Sequence, residues 1–338
     1  MDSDLLRHGL HTVWLDVDPG HDDALALTLA GHSSRLHLLG VSTVAGNQTV
    51  EKVTTNCLSV LEAAGLADTA VVKGQGKPLM RSAPLLCPEI HGSSGLDLRI
   101  GSLPSPTRQA LPGKAVNVMF ERISAHHAAR GQRVSLVCTG VLTNAALLLL
   151  LYPEMADSLQ QIVLMGGCMG VGNTHPVAEF NIQCDPEAAK VVFESGVKVV
   201  MVPLEVTHTA LATDDIIADI CPHAPFGRLV KDIILYFAET YRTVFNFQAP
   251  PLHDPCAVAY VARPDIFQVQ HMRVDVETSS SLTAGQTVCD VWGQSPLPPN
   301  VHVAKVMDVA SFWAMMKESI QTASQQSQII WPPTGVGT

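Results

Sequence analysis

Thr12-Val-Trp-Leu-Asp-Val-Asp-Pro-Gly-His-Asp-Asp23 joins an apolar run to a knot of acids. Residues 12–18 read as a buried strand, Pro19-Gly20 as a sharp turn, and about Asp22 to Gly31 as a helix that is apolar all round and therefore deeply packed. Asp16, Asp18, Asp22 and Asp23 thus crowd the end of one strand and the start of its helix. Side chains alternate along a strand, so Asp16 and Asp18 share a side. In open α/β sheets that place, the carboxyl end of a strand, is where ligands bind. An aspartate capping a helix contributes about 1 kcal/mol, which accounts for one acid or two. Four carboxylates in a low-dielectric setting repel one another and require a neutralising cation. The donors are all oxygen, with no His or Cys cluster, so the cation is a hard one, calcium or magnesium.

The spacing is not that of an EF-hand loop. A metal-dependent phosphatase with D-x-D after its first strand would continue with a hydroxyl residue and an apolar pair, where this chain has Pro-Gly-His-Asp-Asp. No Lys or Arg sits at the motif to grip phosphate.

Outward from this stretch, continuous apolar runs alternate with helical segments. Strands are expected within 36–46, 69–74, 133–140, 161–167 and 198–206. Helices are expected over about 49–65, 114–130, 143–151 and 185–196, with two inside 213–246, one from Asp254 or just after it, and a last one over about 309–322. This is the pattern of a parallel sheet covered on both faces. Residues 74–113, rich in Gly, Pro and Ser, read as a long irregular excursion, and 168–181 as a second loop; such loops are usually functional. Residues 273–293 alternate about a Ser/Thr/Gly turn and read as a hairpin or edge-strand region. The expected fold class is α/β: an open, mostly parallel, Rossmann-like sheet with helices on both faces and an antiparallel edge region. With no repeat and no linker, residues 1–338 read as one domain with a core of about 12–323 and flexible termini.

Composition narrows the function classes. The chain has 338 residues, 47% hydrophobic and 15% charged, enough to fill a large core. A formal net charge of −10 without runs of like charge disfavours a nucleic-acid partner. The eight cysteines form no C-x-x-C pair and read as buried thiols of a reducing compartment. No signal-like or membrane-spanning stretch is seen, so a cytoplasmic protein without membrane contact is expected.

The motif D-x-D-P-G-x-D-D resembles the N-terminal signature of the inosine–uridine preferring nucleoside hydrolases. TVAGNQTVEKVTTN (43–56), HGSSGLD (91–97), CTGVLTNAAL (138–147), VLMGGCMGVGNTHPVAEFNIQCDPEAA (163–189) and LHDPCAVAYV (252–261) follow in family order, so the resemblance spans about residues 13–310. It implies one Ca²⁺ per chain, held by Asp18, Asp23, the Thr139 carbonyl and Asp254 together with a water and two ribose hydroxyls. Asp22 would be the general base on that water, and Asp16 a support behind the ligands. Asn47 would line the ribose floor. Asn173, Glu179 and Asn181 would bind ribose hydroxyls, with Met165 beside them. His253 would be the acid for the leaving base, its ordinary titration range suiting donation near neutral pH. His91, in the 74–113 excursion, would close over the base. Tyr241, Arg242 and Phe245 suit base stacking or core packing equally. His21 occupies a variable position and takes no role.

The same residue types have plainer uses: Asn47 and Asn173 in turns, Thr139 at a turn start, Glu179 in a surface pair, Asp254 as a helix cap. What sets them apart is a shared address after strands or at helix starts, points that gather at one edge of a parallel sheet. The implied activity is calcium-dependent hydrolysis of ribonucleosides to base and ribose, as in purine or pyrimidine salvage, by a homodimer or homotetramer. The alternative is a nucleoside- or ribose-binding protein without turnover on the same fold.

Overall fold

The computed structural model describes residues 10–332. β1 (His11–Val17) leads through α1 (His21–His32) to β2 (Leu36–Thr43), and α2 (Val50–Ala63) leads to the short β3 (Val71–Lys73). The irregular excursion follows, holding one helical turn, α3 (Pro88–His91), before α4 (Ala115–Arg130) and β4 (Val134–Cys138). α5 (Thr143–Leu151) and α6 (Met155–Ser158) precede β5 (Leu159–Met165); α7 (Phe180–Cys184) and α8 (Pro186–Phe193) precede β6 (Val199–Val202). Four helices come next: α9 (Leu204–Thr207), α10 (Asp214–Ile220), α11 (Pro225–Phe245) and α12 (Asp254–Ala262). The chain closes with β7 (Phe267–Met272), β8 (Val274–Val276), β9 (Thr287–Cys289), β10 (Val301–Met307) and α13 (Val309–Gln326).

The main sheet has the order β3-β2-β1-β4-β5-β6-β10-β7. Every neighbouring pair is parallel except β10 and β7, so the open, mostly parallel sheet with one antiparallel edge is as expected. The direction of strand progression reverses between β1 and β4. That reversal opens a crevice at the carboxyl ends of these two strands, where the acids lie.

The hairpin expected within 273–293 is present, with β8 and β9 paired antiparallel, but it forms a ribbon separate from the main sheet and not an edge of it. The sheet's antiparallel edge is β7, and β10 inserts between it and β6. β7 is not a continuous apolar run, because an edge strand keeps water-facing polar residues such as Gln268, Gln270 and His271, and β10 is interrupted by His302 and Lys305. Within 198–206, the strand stops at Val202. Pro203 offers no N–H to a ladder and instead starts the turn of α9.

Side chains alternate from β1 into two cores. Val13, Leu15 and Val17 pack with Leu25, Ala257 and Phe312 from α1, α12 and α13, while Trp14 packs with Met119, Ala145 and Ala188 from α4, α5 and α8. α12 is buried along its whole length and α1 at all but Gly31, which suits their all-round apolar sequences. Packing continues beyond residue 323: Trp331 is buried, and its carbonyl accepts from Arg228 Nε at 3.0 Å and Nη2 at 2.7 Å. The rest of the termini, residues 1–9 and 333–338, lies outside the described residues. Among the described residues no helix is long and apolar enough to cross a membrane.

Candidate active site

Asp18, one residue past β1, is wedged between two turns. A Cβ on Gly46 would stand 2.0 Å from its Oδ2, and one on Gly140 2.6 Å from its Oδ1, so both positions require glycine. Asn47 closes on it: its N–H donates to Asp18 Oδ2 at 2.8 Å, and its Nδ2 donates to the Asp18 carbonyl at 3.0 Å and to Asp23 Oδ2 at 3.3 Å. Asp23 also accepts from the Gly20 N–H at 3.1 Å and from Thr139 Oγ1 at 2.7 Å. Asp254, at the start of α12, meets this group from across the crevice. Carboxylate oxygens of Asp22, Asp23 and Asp254 lie within 4.8 Å of one another, and all three residues are buried. Asp18 stands beside that trio, close enough for its charge to act on Asp254.

Burial is the largest cause that raises every one of these pKa values, and for Asp18, Asp22 and Asp254 the neighbouring carboxylates add to it. Asp22 is pushed up to about 7, by burial and then by Asp23. Asp18 and Asp254 stand well above the usual carboxylate range, and Asp23 is raised. Among the described residues no Lys or Arg lines the pocket. Capping contributes about 1 kcal/mol per aspartate, against several kcal/mol for each carboxylate buried as an anion. The cluster therefore has no structural justification as it stands. A set of buried oxygens without a protein counter-charge is what a hard divalent cation needs, and the site fits one. The Thr139 carbonyl accepts from Asn181 Nδ2 at 2.7 Å and keeps a second lone pair.

The second loop supplies the next wall. Glu179 caps α7, accepting from the N–H groups of Gly167 (3.0 Å), Asn181 (3.0 Å) and Ile182 (3.2 Å). It is 2% exposed, not a surface pair, and burial pushes it to about 7. Asn181 Nδ2 donates to the carbonyls of Thr139 and, at 3.1 Å, Met165, which leaves Oδ1 as an acceptor at the pocket. Asn173 is the complement: its Oδ1 accepts from the Phe180 N–H at 3.0 Å, leaving Nδ2 as a donor.

Aromatic residues make the remaining wall. Phe237, Tyr241 and Phe245 line the pocket from successive turns of α11, while Arg242 is exposed. Tyr241 OH contacts His253 Nε2 at 2.7 Å, and Thr207 Oγ1 contacts Nδ1 at 2.8 Å. Both imidazole nitrogens of His253 are thus engaged, and it meets the pocket beside the Tyr241 hydroxyl. Burial, then His208, lowers its pKa to about 3, so the expectation that it titrates near neutrality does not hold in this environment. His91 lines the pocket from α3 and is held by His21, to which the sequence alone assigns no role. Asp16 faces away: its Oδ1 accepts from Ser42 Oγ at 2.5 Å and Asn144 Nδ2 at 2.8 Å, tying β1 to β2 and α5 behind the acids.

Most of the residues singled out from sequence thus meet in one cavity: Asp22, Asn47, His91, Thr139, Met165, Asn173, Glu179, Asn181, His253 and Asp254 line it, with Asp18 and Asp23 beneath. Sequence reasoning missed Cys87, Ile90, Thr174, Phe180 and Phe237. Only Phe237 left a signal, its i, i+4, i+8 spacing with Tyr241 and Phe245.

The comparisons agree with this geometry. Residues 13–314 match the family described as inosine-uridine preferring nucleoside hydrolase. A probable ribonucleoside hydrolase of Dictyostelium discoideum is 46% identical over 94% of this chain and 96% of its own length. A pyrimidine-specific ribonucleoside hydrolase of Shewanella woodyi is 41% identical over 92% and 98%. Among solved structures, the purine-preferring ribonucleoside hydrolase of Gardnerella vaginalis superposes with a TM-score of 0.85 at 28% identity, covering 93% of this chain and 99% of that one. The chain belongs to the inosine–uridine preferring nucleoside hydrolase family.

Proposed function

We propose that the chain hydrolyses the N-glycosidic bond of ribonucleosides, inosine- or uridine-like, to free base and ribose, with one Ca²⁺ per chain. The observation that carries this reading is the meeting of the buried trio Asp22, Asp23 and Asp254 with Asn181, Glu179 and the aromatic wall in a single pocket. Ca²⁺ bound by Asp18, Asp23, Asp254 and the Thr139 carbonyl would supply positive charge and Lewis acidity to orient a water and two ribose hydroxyls.

The chain's own groups do the rest. Asp22, as carboxylate, takes a proton from the attacking water as its oxygen bonds to the anomeric carbon, inverting it. Asn181 Oδ1 accepts from a ribose hydroxyl and Asn173 Nδ2 donates to one, while Asn47 fixes the floor. The acids around the ribose favour the positive charge that develops as the C–N bond breaks. The departing base nitrogen receives its proton from the Tyr241 hydroxyl, and His253 Nε2, 2.7 Å away, gives its own proton to the tyrosinate. The balance is restored when the proton that the water left on Asp22 is released and one is taken up at the Tyr241–His253 pair as the products leave. A pocket built to bond ribose hydroxyls rejects 2′-deoxyribonucleosides by a large factor, because its buried polar groups would go unpaired. By the same reading the protein is a cytoplasmic homodimer or homotetramer serving base salvage.

The test is to incubate the Ca²⁺-loaded protein with inosine, uridine and the other common ribonucleosides and to quantify free base and ribose. Release of base from at least one is expected. Tight nucleoside binding with no product from any would overturn the enzymatic reading in favour of a binding protein.

A further inference from the structure

His21 lies outside the roles considered so far, yet it is 1% exposed and fully engaged. Its ring stacks on Tyr236, with centroids 4.9 Å apart and planes 3° from parallel, and on Phe237 at 5.5 Å. Its Nε2 stands 2.7 Å from the Asp97 carbonyl oxygen, and its Nδ1 stands 3.0 Å from His91 Nδ1. His91 and Asp97 are the two ends of the turn HGSSGLD, which closes on itself through the Asp97 carboxylate and the N–H groups of Ser93 and Ser94, both at 2.9 Å. His21 therefore clasps both ends of the turn that brings His91 to the pocket.

The contacts restrict the protons. A carbonyl only accepts, so the 2.7 Å contact requires a proton on His21 Nε2. In an uncharged His21 the Nδ1 is then bare and accepts, so the proton between the rings sits on His91 Nδ1. The other neutral arrangements set two lone pairs against each other at 3.0 Å or at 2.7 Å. The His21 backbone N–H also points at His91 Nδ1 as a donor, from 3.3 Å, which by itself favours a bare nitrogen there. The 3.0 Å ring contact, whose His21 partner is bare because its Nε2 proton is committed to the Asp97 carbonyl at 2.7 Å, is the shorter and outweighs it. With its proton on Nδ1, His91 has a bare Nε2, for which the described residues offer no hydrogen bond, at the pocket it lines.

We propose that His21 is a positioning residue that fixes His91 in its Nδ1–H tautomer, so that His91 presents an acceptor nitrogen to a donor on the nucleoside, a base N–H or a ribose hydroxyl. This rests on the hydrolase reading for the identity of the ligand, but not for the tautomer. A nucleoside that places only acceptors at this point meets two lone pairs and binds poorly, so His21, without touching the ligand, tunes which nucleosides are accepted.

The first experiment is long-range ¹H–¹⁵N correlation NMR of the histidine-labelled protein, with His91 assigned by its loss in His91→Ala. The expected spectrum shows His91 protonated at Nδ1 and bare at Nε2; a proton on Nε2 would overturn the proposal. The second is a mutant cycle on kcat/KM with the best ribonucleoside. His21→Phe keeps the stacking but neither hydrogen bond, and is expected to lower kcat/KM on the order of tenfold. His21→Asn, whose side-chain oxygen can accept from His91, is expected to restore most of that loss. In the His91→Ala background His21→Phe is expected to change nothing further. Equal losses with and without His91 would show that His21 merely holds the fold, and the idea would fail. If the wild-type protein released no base from any ribonucleoside, the hydrolase reading would fail, while the NMR result would still decide the tautomer.

Discussion

Asp22 and Tyr241 are the residues at which the proposed chemistry is most exposed to test. Asp22 lies in the trio with Asp23 and Asp254, and its pKa of about 7 reflects burial and then a neighbouring carboxylate. Asp22→Asn preserves its shape but abolishes its capacity to accept a proton. With general-base catalysis worth roughly 10²- to 10⁴-fold, kcat should fall by that factor. The thermal midpoint should hold or rise, because one of several crowded like charges is gone. A variant within tenfold of the wild-type kcat would mean that another group takes the water's proton. Tyr241→Phe removes the hydroxyl that contacts His253 at 2.7 Å. It should slow ordinary ribonucleosides by roughly 10²-fold. It should leave nearly unchanged a riboside whose leaving group is a nitrophenolate, which departs without a proton. Equal slowing of both substrates would show that Tyr241 shapes the pocket and transfers no proton.

Among the elements, the loop leading into α7 has the clearest consequence of its own. Glu179 accepts from three backbone N–H groups that belong to both the end of β5 and the start of α7. Glu179→Ala leaves all three buried donors unpaired, and should lower the unfolding free energy by about 1–3 kcal/mol, read as a lower urea midpoint at constant slope. Glu179→Gln, which retains one acceptor oxygen, should fall between; an unchanged midpoint for the alanine variant would show that water replaces the carboxylate.

How much of this was legible in the sequence depended on range. β1 and α1 announced themselves, since an element buried nearly throughout is apolar nearly throughout, and α5 did so by its unbroken run of leucines, although Leu150 and Leu151 are exposed. The acid cluster stood out because capping does not account for four aspartates. β7 was hidden by polar residues that an edge keeps toward water, β10 by its interrupting His302 and Lys305, and α9 by the continuation VPLEV, which Pro203 turns into a helix. The Tyr241–His253 and His21–His91 contacts join residues 12 and 70 apart. They exist only because α11 and the 74–113 excursion pack beside the start of α1, and no local pattern encodes that packing.

For the whole molecule, the acids tie stability to both pH and cation. In the cation-free protein the folded-state values of Asp16, Asp22 and Glu179 stand at about 7, and Asp18, Asp23 and Asp254 are raised, in each case chiefly by burial. Their ordinary values are 3.8 for aspartate and 4.5 for glutamate. A folded pKa above the unfolded one means that the native state binds protons the unfolded chain has already released. The associated stability is therefore fully present below about pH 4 and is lost as pH rises to about 7 and beyond. Ca²⁺ competes with those protons for Asp18, Asp23 and Asp254, and it binds the folded chain alone, so its stabilisation grows as these acids ionise. The gain in thermal midpoint from 1 mM Ca²⁺, roughly a millimolar probe of any tighter site, should thus be small at pH 5 and large at pH 8. Chelation at pH 8 should reverse it. Mg²⁺, which holds its own waters more firmly and demands octahedral geometry, should give less at both. Asp16, Asp22 and Glu179 lie outside the proposed ligand set, so a residual fall in stability through pH 7 should survive saturation with Ca²⁺ and diminish in Asp16→Asn. An equal Ca²⁺ shift at pH 5 and pH 8, or a shift that Asp254→Asn leaves intact, would place the cation somewhere other than among these carboxylates.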